Sequence, residues 1–263
     1  MKICVVHVNA ESCSRAYTPL ITANLEKVKA AGTIIHHRFV RHLKRATDTV
    51  LAYPILLNKI DVVQEIVDAE REGADAVMVA CSGDTAVAEA RTLVSIPVVG
   101  PMEAALHLAC CYGHKVGLVT TADRSWSDYC EMMVTNCGLS SRFAGIRRIP
   151  MPSGEAFTRG FLEPQTVASE IAANARSLVE AGANSIVIGS AGMSVIATAA
   201  GLSVVPEYGA PIFDCLAAGL KMAELRSDLQ RKLDVPECSR TGWGQRLMQP
   251  DMARLNNLFE LAP

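Results

Sequence analysis

The sequence lacks several features that would place it in a common class of protein. Aromatic residues make up 5% and charged residues 20% of the 263 residues, and the formal net charge is only −2. This near-neutral balance argues against a general nucleic-acid-binding surface. No apolar run approaches the ~18 residues that a membrane-spanning helix needs, and Met1 leads directly into a strand pattern rather than a secretory signal. We therefore expect neither a nucleic-acid partner nor a membrane partner.

Cysteine, in contrast, is abundant. The chain has nine cysteines, but none of them shows a CxxC or zinc-type spacing, and most lie within apolar segments. This pattern predicts free thiols, no metal site and a reducing, cytoplasmic location. Half of the residues are apolar, which is enough for a large buried core.

Strand and helix patterns alternate along the whole chain, which predicts an α/β protein with parallel sheets flanked by helices. The predicted strands cover residues 2–8, 33–39, 76–80, 97–100, 116–121, 143–149, 185–189 and 211–214. The segments 41–49 and 151–162 are predicted to be loops, and the first of these, which is basic, is interpreted as a solvated surface in preference to a lid over an anionic substrate. Ligands of such sheets bind beyond the carboxyl ends of the strands. Five polar or thiol residues lie at such ends: Asn9, Cys81, Thr120, Thr121 and Ser190.

The stretch from Ala74 to Gly113 contains the main candidate for a catalytic residue. A buried strand over residues 76–80 ends at Cys81, and the turn that follows leads into a helix predicted over residues 85–93, with Asp84 or Thr85 as its N-cap. A thiol beside a helix N-terminus has a lowered pKa and forms the reactive thiolate more readily. A small buried hydrophobic role for Cys81 fits this stretch equally well.

The same pattern occurs twice in the chain. Residues 72–83 align with residues 181–192 without a gap, and the flanking strands align as well. In this alignment Cys81 falls opposite Ser190. The duplication predicts two similar lobes related by a pseudo-twofold axis, with an active site in the cleft between them. The predicted first lobe contains residues 1–100 and 215–263, and the second contains residues 101–214.

Two facing lobes of this kind suit a particular reaction. A trigonal carbon held between them would lose a proton from one face and regain a proton on the other, as in a two-base racemase. Backbone N–H groups at Ser82, Gly83, Ala191 and Gly192 would hold a carboxylate or stabilise an enolate. This chemistry requires neither a redox cofactor nor a metal.

Five segments carry a resemblance to the Asp/Glu/hydantoin racemase superfamily, and most closely to its hydantoin and allantoin racemase branch. The first, Ala80-Cys-Ser-Gly-Asp, resembles the first catalytic-cysteine motif, and Ile188-Gly-Ser-Ala-Gly-Met is similar to the second. The others are residues 96–109, 119–125 and 239–244. They are spread along the sequence, so the resemblance extends over nearly the whole chain.

The resemblance implies a cofactor-independent racemase or epimerase that acts on an acidic carbon next to a carbonyl, in a hydantoin, allantoin or amino-acid-like substrate. It also implies a homo-oligomer and a small-molecule substrate with carboxylate or carbonyl oxygens. Cys81 would be the acid or base on one face, opposite Ser190. The predicted substrate-binding residues are Asn9, Ser82, Gly83, Thr120, Thr121, Ala191 and Gly192.

Ser190 departs from the family pattern, which has a second cysteine at this position. A serine hydroxyl without an adjacent base is far weaker in proton transfer than a thiol of pKa ~8.5. Three explanations stay open: an engineered replacement of cysteine, a water or another residue that serves the second face, and a single-cysteine chemistry. The last would make the protein a decarboxylase or a cis–trans isomerase of a dicarboxylate. A protein that binds a small ligand without catalysis is a further alternative.

Overall fold

Two α/β halves follow one another in the chain. The structure is a computed structural model that describes residues 1–261, apart from the side chain of Gln249. The first half contains β1 (Lys2–His7), α1 (Thr18–Val28), β2 (Ile34–Phe39), α2 (Ala52–Arg71), β3 (Ala76–Val79), α3 (Val87–Arg91), β4 (Val98–Val99) and α4 (Pro101–Ala109). The second contains β5 (Val116–Thr120), α5 (Arg124–Asn136), β6 (Phe143–Arg148), α6 (Ser153–Gly160), α7 (Pro164–Glu180), β7 (Ser185–Ile188), α8 (Ala191–Ala199), β8 (Val204–Val205) and β9 (Ala210–Phe213). Helices α9 (Cys215–Leu233) and α10 (Gln249–Leu258) follow.

Each half forms one sheet, and the two sheets have the same strand order. The first sheet is β2-β1-β3-β4 and is parallel throughout. The second is β6-β5-β7-β9-β8, in which only the edge strand β8 is antiparallel. Strands β1, β2, β3 and β4 thus correspond to β5, β6, β7 and β9. The predicted α/β class with two similar parallel-sheet halves is confirmed.

The central strands of both sheets are fully buried. All four residues of β3 and all four of β7 are buried, which explains the apolar sequence of β3 and of residues 186–188 in β7. Helix α9 packs against β3, β4 and α4 and so returns the end of the chain to the first half. The assignment of residues 1–100 and 215–263 to one lobe and of residues 101–214 to the other stays a prediction.

Two segments differ from the expected secondary structure. The predicted loop over residues 151–162 contains helix α6, because the fully buried Ala156 and the half-buried Phe157 give this short stretch an apolar face. The helix predicted over residues 85–93 is shorter and begins at Val87. No helix within residues 1–261 combines the length and the apolar character needed to cross a membrane.

Candidate active site

One cavity is lined by residues from both halves and lies beyond the carboxyl ends of β1, β3, β5 and β7. Its volume is about 490 Å³. This is the edge at which parallel sheets bind their ligands. Seven of the nine predicted site residues line the cavity: Asn9, Cys81, Ser82, Thr121, Ser190, Ala191 and Gly192.

Cys81 lies at the cavity wall and is only 7% exposed. The Gly83 N–H donates a hydrogen bond to its sulfur over 3.4 Å. Burial raises the pKa of the thiol above its ordinary value, and the hydrogen bonds from Gly83 and Thr85 offset only part of that effect. The prediction that a helix N-terminus lowers the pKa of Cys81 is therefore wrong. Helix α3 begins six residues after Cys81, too far away for its dipole to act on the sulfur.

Asp84 caps a different helix from the one predicted. The N-cap of α3 is Ala86, and neither Asp84 nor Thr85 caps this helix. The Asp84 carboxylate instead accepts hydrogen bonds from the N–H groups of Met102 and Glu103, at 2.9 and 2.8 Å, in the first turn of α4. Burial raises the pKa of this carboxyl to about 7, against the lowering effect of the two N–H groups. The turn after Cys81 therefore ties β3 to α4.

Ser190 begins the corresponding helix in the second half. It is the N-cap of α8, and its hydroxyl oxygen accepts a hydrogen bond from the Met193 N–H over 3.4 Å. Because α8 begins at the next residue, the positive end of its dipole lies at the cavity. The Gly192 N–H belongs to the first turn, where N–H groups have no acceptor within the helix. A Cβ on Gly192 would overlap the Phe157 ring.

A direct hydrogen bond joins the two motif loops. The Ala191 N–H donates to the Ser82 hydroxyl oxygen over 3.2 Å, and both residues are buried. The residue after Cys81 thus contacts the residue after Ser190. The same bond uses the Ala191 N–H, so this group is already satisfied within the protein.

Three other predicted residues also have internal partners. Gly83 is not a lining residue, and its N–H is directed to Cys81. Thr120 is fully buried behind the wall, where its hydroxyl donates to the Gly189 carbonyl over 3.1 Å. The Thr121 hydroxyl lines the cavity but donates to Asp123 over 2.7 Å. Its oxygen is left as a hydrogen-bond acceptor toward a ligand.

Aromatic rings form a wall of the cavity that the sequence patterns did not predict. Tyr17 stacks on Phe161 with ring centroids 5.8 Å apart, and Phe161 stacks on Phe157 at the same distance. Trp126 closes another part of the wall and donates its indole N–H to the Gly189 carbonyl over 2.7 Å. Phe157 and Phe161 lie in the segment predicted to be a loop after β6. The rule that loops after parallel strands line the ligand site would have identified that segment.

The basic segment 41–49 forms a further part of the wall. Arg41 and Lys44 are exposed, as the solvated-surface interpretation predicts, but Arg45 and Thr47 line the cavity. Arg45 is the only charged residue among the lining residues of the described chain, and it is itself exposed. In residues 1–261 no three His, Cys, Asp or Glu side chains are placed together to hold a metal ion.

The fold and the cavity together define a two-lobed α/β enzyme of the racemase class, and comparisons with known proteins agree. The model of the family described as Asp/Glu/Hydantoin racemase matches residues 3–223. The hydantoin racemase of Paenarthrobacter aurescens is 31% identical over 231 residues, which cover 85% of this chain and 90% of that protein. The hydantoin racemase of Pseudomonas sp. (strain NS671) is 33% identical over 172 residues, or 65% of this chain and 66% of the relative.

A solved structure extends this similarity. The allantoin racemase from Klebsiella pneumoniae is 26% identical, with a TM-score of 0.78 and coverage of 95% of this chain and 94% of that chain. The chain belongs to the Asp/Glu/hydantoin racemase family and, within it, to the hydantoin and allantoin racemase branch. It is an isomerase.

Proposed function

We propose that the protein inverts an acidic carbon next to a carbonyl in a neutral cyclic ureide of the hydantoin or allantoin type, with Cys81 as the acid or base on one face. One observation carries the proposal. Cys81 and Ser190 line the same cavity, and the Ser82–Ala191 hydrogen bond joins the loops that hold them. Relatives that are themselves hydantoin and allantoin racemases add support.

The proposed reaction starts from the Cys81 thiolate. The sulfur takes the proton from the carbon, and the electron pair of the broken C–H bond moves into the adjacent carbonyl to give an enolate. The Gly192 N–H and the positive end of the α8 dipole stabilise the negative oxygen. A proton added to the opposite face of the carbon gives the other enantiomer, and a proton returned by the Cys81 thiol regenerates the first. When a water protonates the opposite face, the thiol afterwards loses its proton to the hydroxide that this water leaves, which restores the thiolate. No step needs a cofactor.

Ser190 makes the two faces unequal. Its hydroxyl is a weak proton donor and acceptor without an adjacent base, and the partner that the described residues give it is the Met193 N–H. We therefore expect the Cys81 face to exchange its proton faster than the substrate inverts. A water bound beside Ser190 would supply the proton on the second face.

The cavity wall favours a neutral substrate with an apolar substituent. Arg45, the only charged lining residue in the described chain, is exposed to solvent, so it binds a carboxylate less firmly than a buried arginine does. The rings of Trp126, Phe157 and Phe161 offer a large apolar surface to a substituent. Hydantoins with an aromatic or aliphatic substituent fit this surface better than allantoin, whose substituent is a polar ureido group.

A decarboxylase is the second candidate, because this reaction needs one proton donor and Cys81 is the only thiol of the Cys81–Ser190 pair. In that reaction the substrate loses CO₂ to form the enolate, and Cys81 protonates the carbon once. The second carboxylate of a malonate, which stays on the product, would meet only the exposed Arg45 as a charged partner among the lining residues of the described chain. This makes decarboxylation the weaker proposal.

Isotope exchange in D₂O separates these reactions. Single enantiomers of 5-benzylhydantoin and of allantoin, and separately an achiral substituted malonate, would be incubated with this chain and with the Ser190→Cys variant. NMR would follow deuterium at the reacting carbon, and polarimetry would follow inversion. We expect exchange of the hydantoin to exceed inversion in this chain, and inversion to accelerate in Ser190→Cys. Release of CO₂ from the malonate without hydantoin exchange would overturn the racemase proposal.

A further inference from the structure

Three buried polar atoms at the cavity have no hydrogen-bond partner among the described residues. They are the Asn9 side-chain oxygen, the Tyr17 hydroxyl and the Ser153 hydroxyl, and all three residues line the cavity. The described chain contains only three other such atoms, in Asn24, Asn58 and Ser227, and none of those residues lines it. Buried polar groups normally have hydrogen-bond partners. Three unpartnered atoms at one cavity therefore point to a ligand that supplies their partners.

The surrounding structure holds these groups in place. The Tyr17 ring stacks on Phe161 and meets the edge of His7 at a centroid distance of 6.1 Å, which fixes the direction of its hydroxyl. Ser153 is 3% exposed, and its N–H donates to Asp123 over 2.7 Å at the start of α6. The two hydroxyls come from different halves of the chain. Fixed groups of this kind bind a ligand with little loss of conformational freedom.

The chemistry of the three groups specifies the ligand pattern. Tyr17 and Ser153 each provide an O–H donor, and the Asn9 oxygen is an acceptor. A molecule with one N–H and two carbonyl oxygens complements this set, which is the pattern of a cyclic imide. A carboxylate would satisfy the two hydroxyls but would leave the Asn9 oxygen without a donor.

We propose that Tyr17 and Ser153 determine substrate specificity by donating hydrogen bonds to two carbonyl oxygens of a cyclic imide, while Asn9 accepts its N–H. This inference rests on the proposed function and adds Tyr17 and Ser153 to the residues predicted from sequence. Both residues are assigned a role in binding, and proton transfer stays with Cys81. Their removal should change recognition of the carbonyl groups and leave the fold intact.

Equilibrium binding tests this assignment. Calorimetry would measure the Kd of 5-benzylhydantoin and its 3-methyl derivative for the unaltered protein, Tyr17→Phe, Ser153→Ala and Asn9→Ala. The matched controls are Tyr208→Phe and Ser169→Ala, which remove exposed hydroxyls bonded to Glu180 and Gln165. Melting temperatures would establish that each variant is folded.

We expect Tyr17→Phe and Ser153→Ala each to weaken hydantoin binding about threefold to tenfold, the effect of losing one hydrogen bond. The controls should bind as the unaltered protein does. The unaltered protein should bind the 3-methyl derivative more weakly than the parent, and Asn9→Ala should lose that preference. Hydantoin binding within twofold of the unaltered protein in both Tyr17→Phe and Ser153→Ala would overturn the inference alone. No binding and no racemisation of hydantoins by the unaltered protein would overturn the proposed function as well.

Discussion

The Ser82 hydroxyl oxygen accepts a hydrogen bond from the Ala191 N–H over 3.2 Å, which ties the two motif loops together across the two halves. Substitution Ser82→Ala would leave that buried N–H without an acceptor. We expect the free energy of unfolding to fall by about 1–3 kcal/mol, measured by urea denaturation. The exposed Ser169→Ala variant is the control and should change stability by less than about 0.5 kcal/mol. Equal effects of the two substitutions would show that the bond adds nothing to stability.

Substitution Ser190→Cys should have opposite effects on stability and on rate. A thiol is a weaker acceptor for the Met193 N–H, so we expect the loss of part of a helix cap, up to about 1 kcal/mol. Inversion should nevertheless become faster, because a thiol transfers protons more readily than a hydroxyl. Denaturant unfolding and polarimetry would measure the two effects.

The control for this variant is Ser190→Ala, which removes the same cap without adding a thiol. It should lose stability without a gain in rate. Similar inversion rates in the Ser190→Cys and Ser190→Ala variants would contradict a role for this position in proton transfer.

The pH dependence of the rate should report the buried thiol of Cys81. Burial raises the pKa of this group above its ordinary value, so the thiolate is a minor species at neutral pH and its fraction grows as pH rises. We expect kcat/KM for hydantoin to increase about tenfold per pH unit between pH 7 and 9, since only the thiolate acts as a base. A plateau that begins below pH 8 would exclude Cys81 as the titrating base. The Cys81→Ser variant should lose the dependence together with nearly all activity.

Because Gly192 lies against the Phe157 ring, we expect substitutions at these two positions to have non-additive effects on stability. A methyl group on Gly192 would overlap the Phe157 ring, so Gly192→Ala should destabilise the protein by about 1–3 kcal/mol through overpacking. This holds even though alanine is a better helix former than glycine. In the double variant Gly192→Ala/Phe157→Leu the smaller side chain should recover part of that loss. A double-mutant cycle that gives additive effects would contradict the overlap.

Local sequence patterns predicted the buried strands and the two residues that follow them, Cys81 and Ser190. The aligned repeat predicted that Cys81 and Ser190 occupy equivalent positions, and both follow buried parallel strands, so the rule about carboxyl ends placed them at one cavity. The central strands were recognisable because burial on both faces requires an unbroken apolar run.

The parts that failed depend on contacts between distant segments. Asp84 has the composition of a local cap, but it contacts the first turn of α4, 18 and 19 residues away. Helix α6 was missed because it contains two glycines and follows Pro152. Its stability comes from Ala156 and Phe157, which pack in the apolar core of the second half. The rule about carboxyl ends points to the segment of Ser153, but nothing in the sequence indicates that the hydroxyls of Tyr17 and Ser153 are buried at the cavity without a hydrogen-bond partner.

The unequal helix starts on the two sides of the cavity restrict how the two mirror-image substrates are turned over. Helix α8 begins directly after Ser190, whereas α3 begins six residues after Cys81. Enantiomers have equal free energies in water, so the overall equilibrium constant is one and kcat/KM must be the same in both directions. The asymmetry of the protein therefore affects kcat and KM separately but not their ratio. The enantiomer with the lower KM must also have the lower kcat.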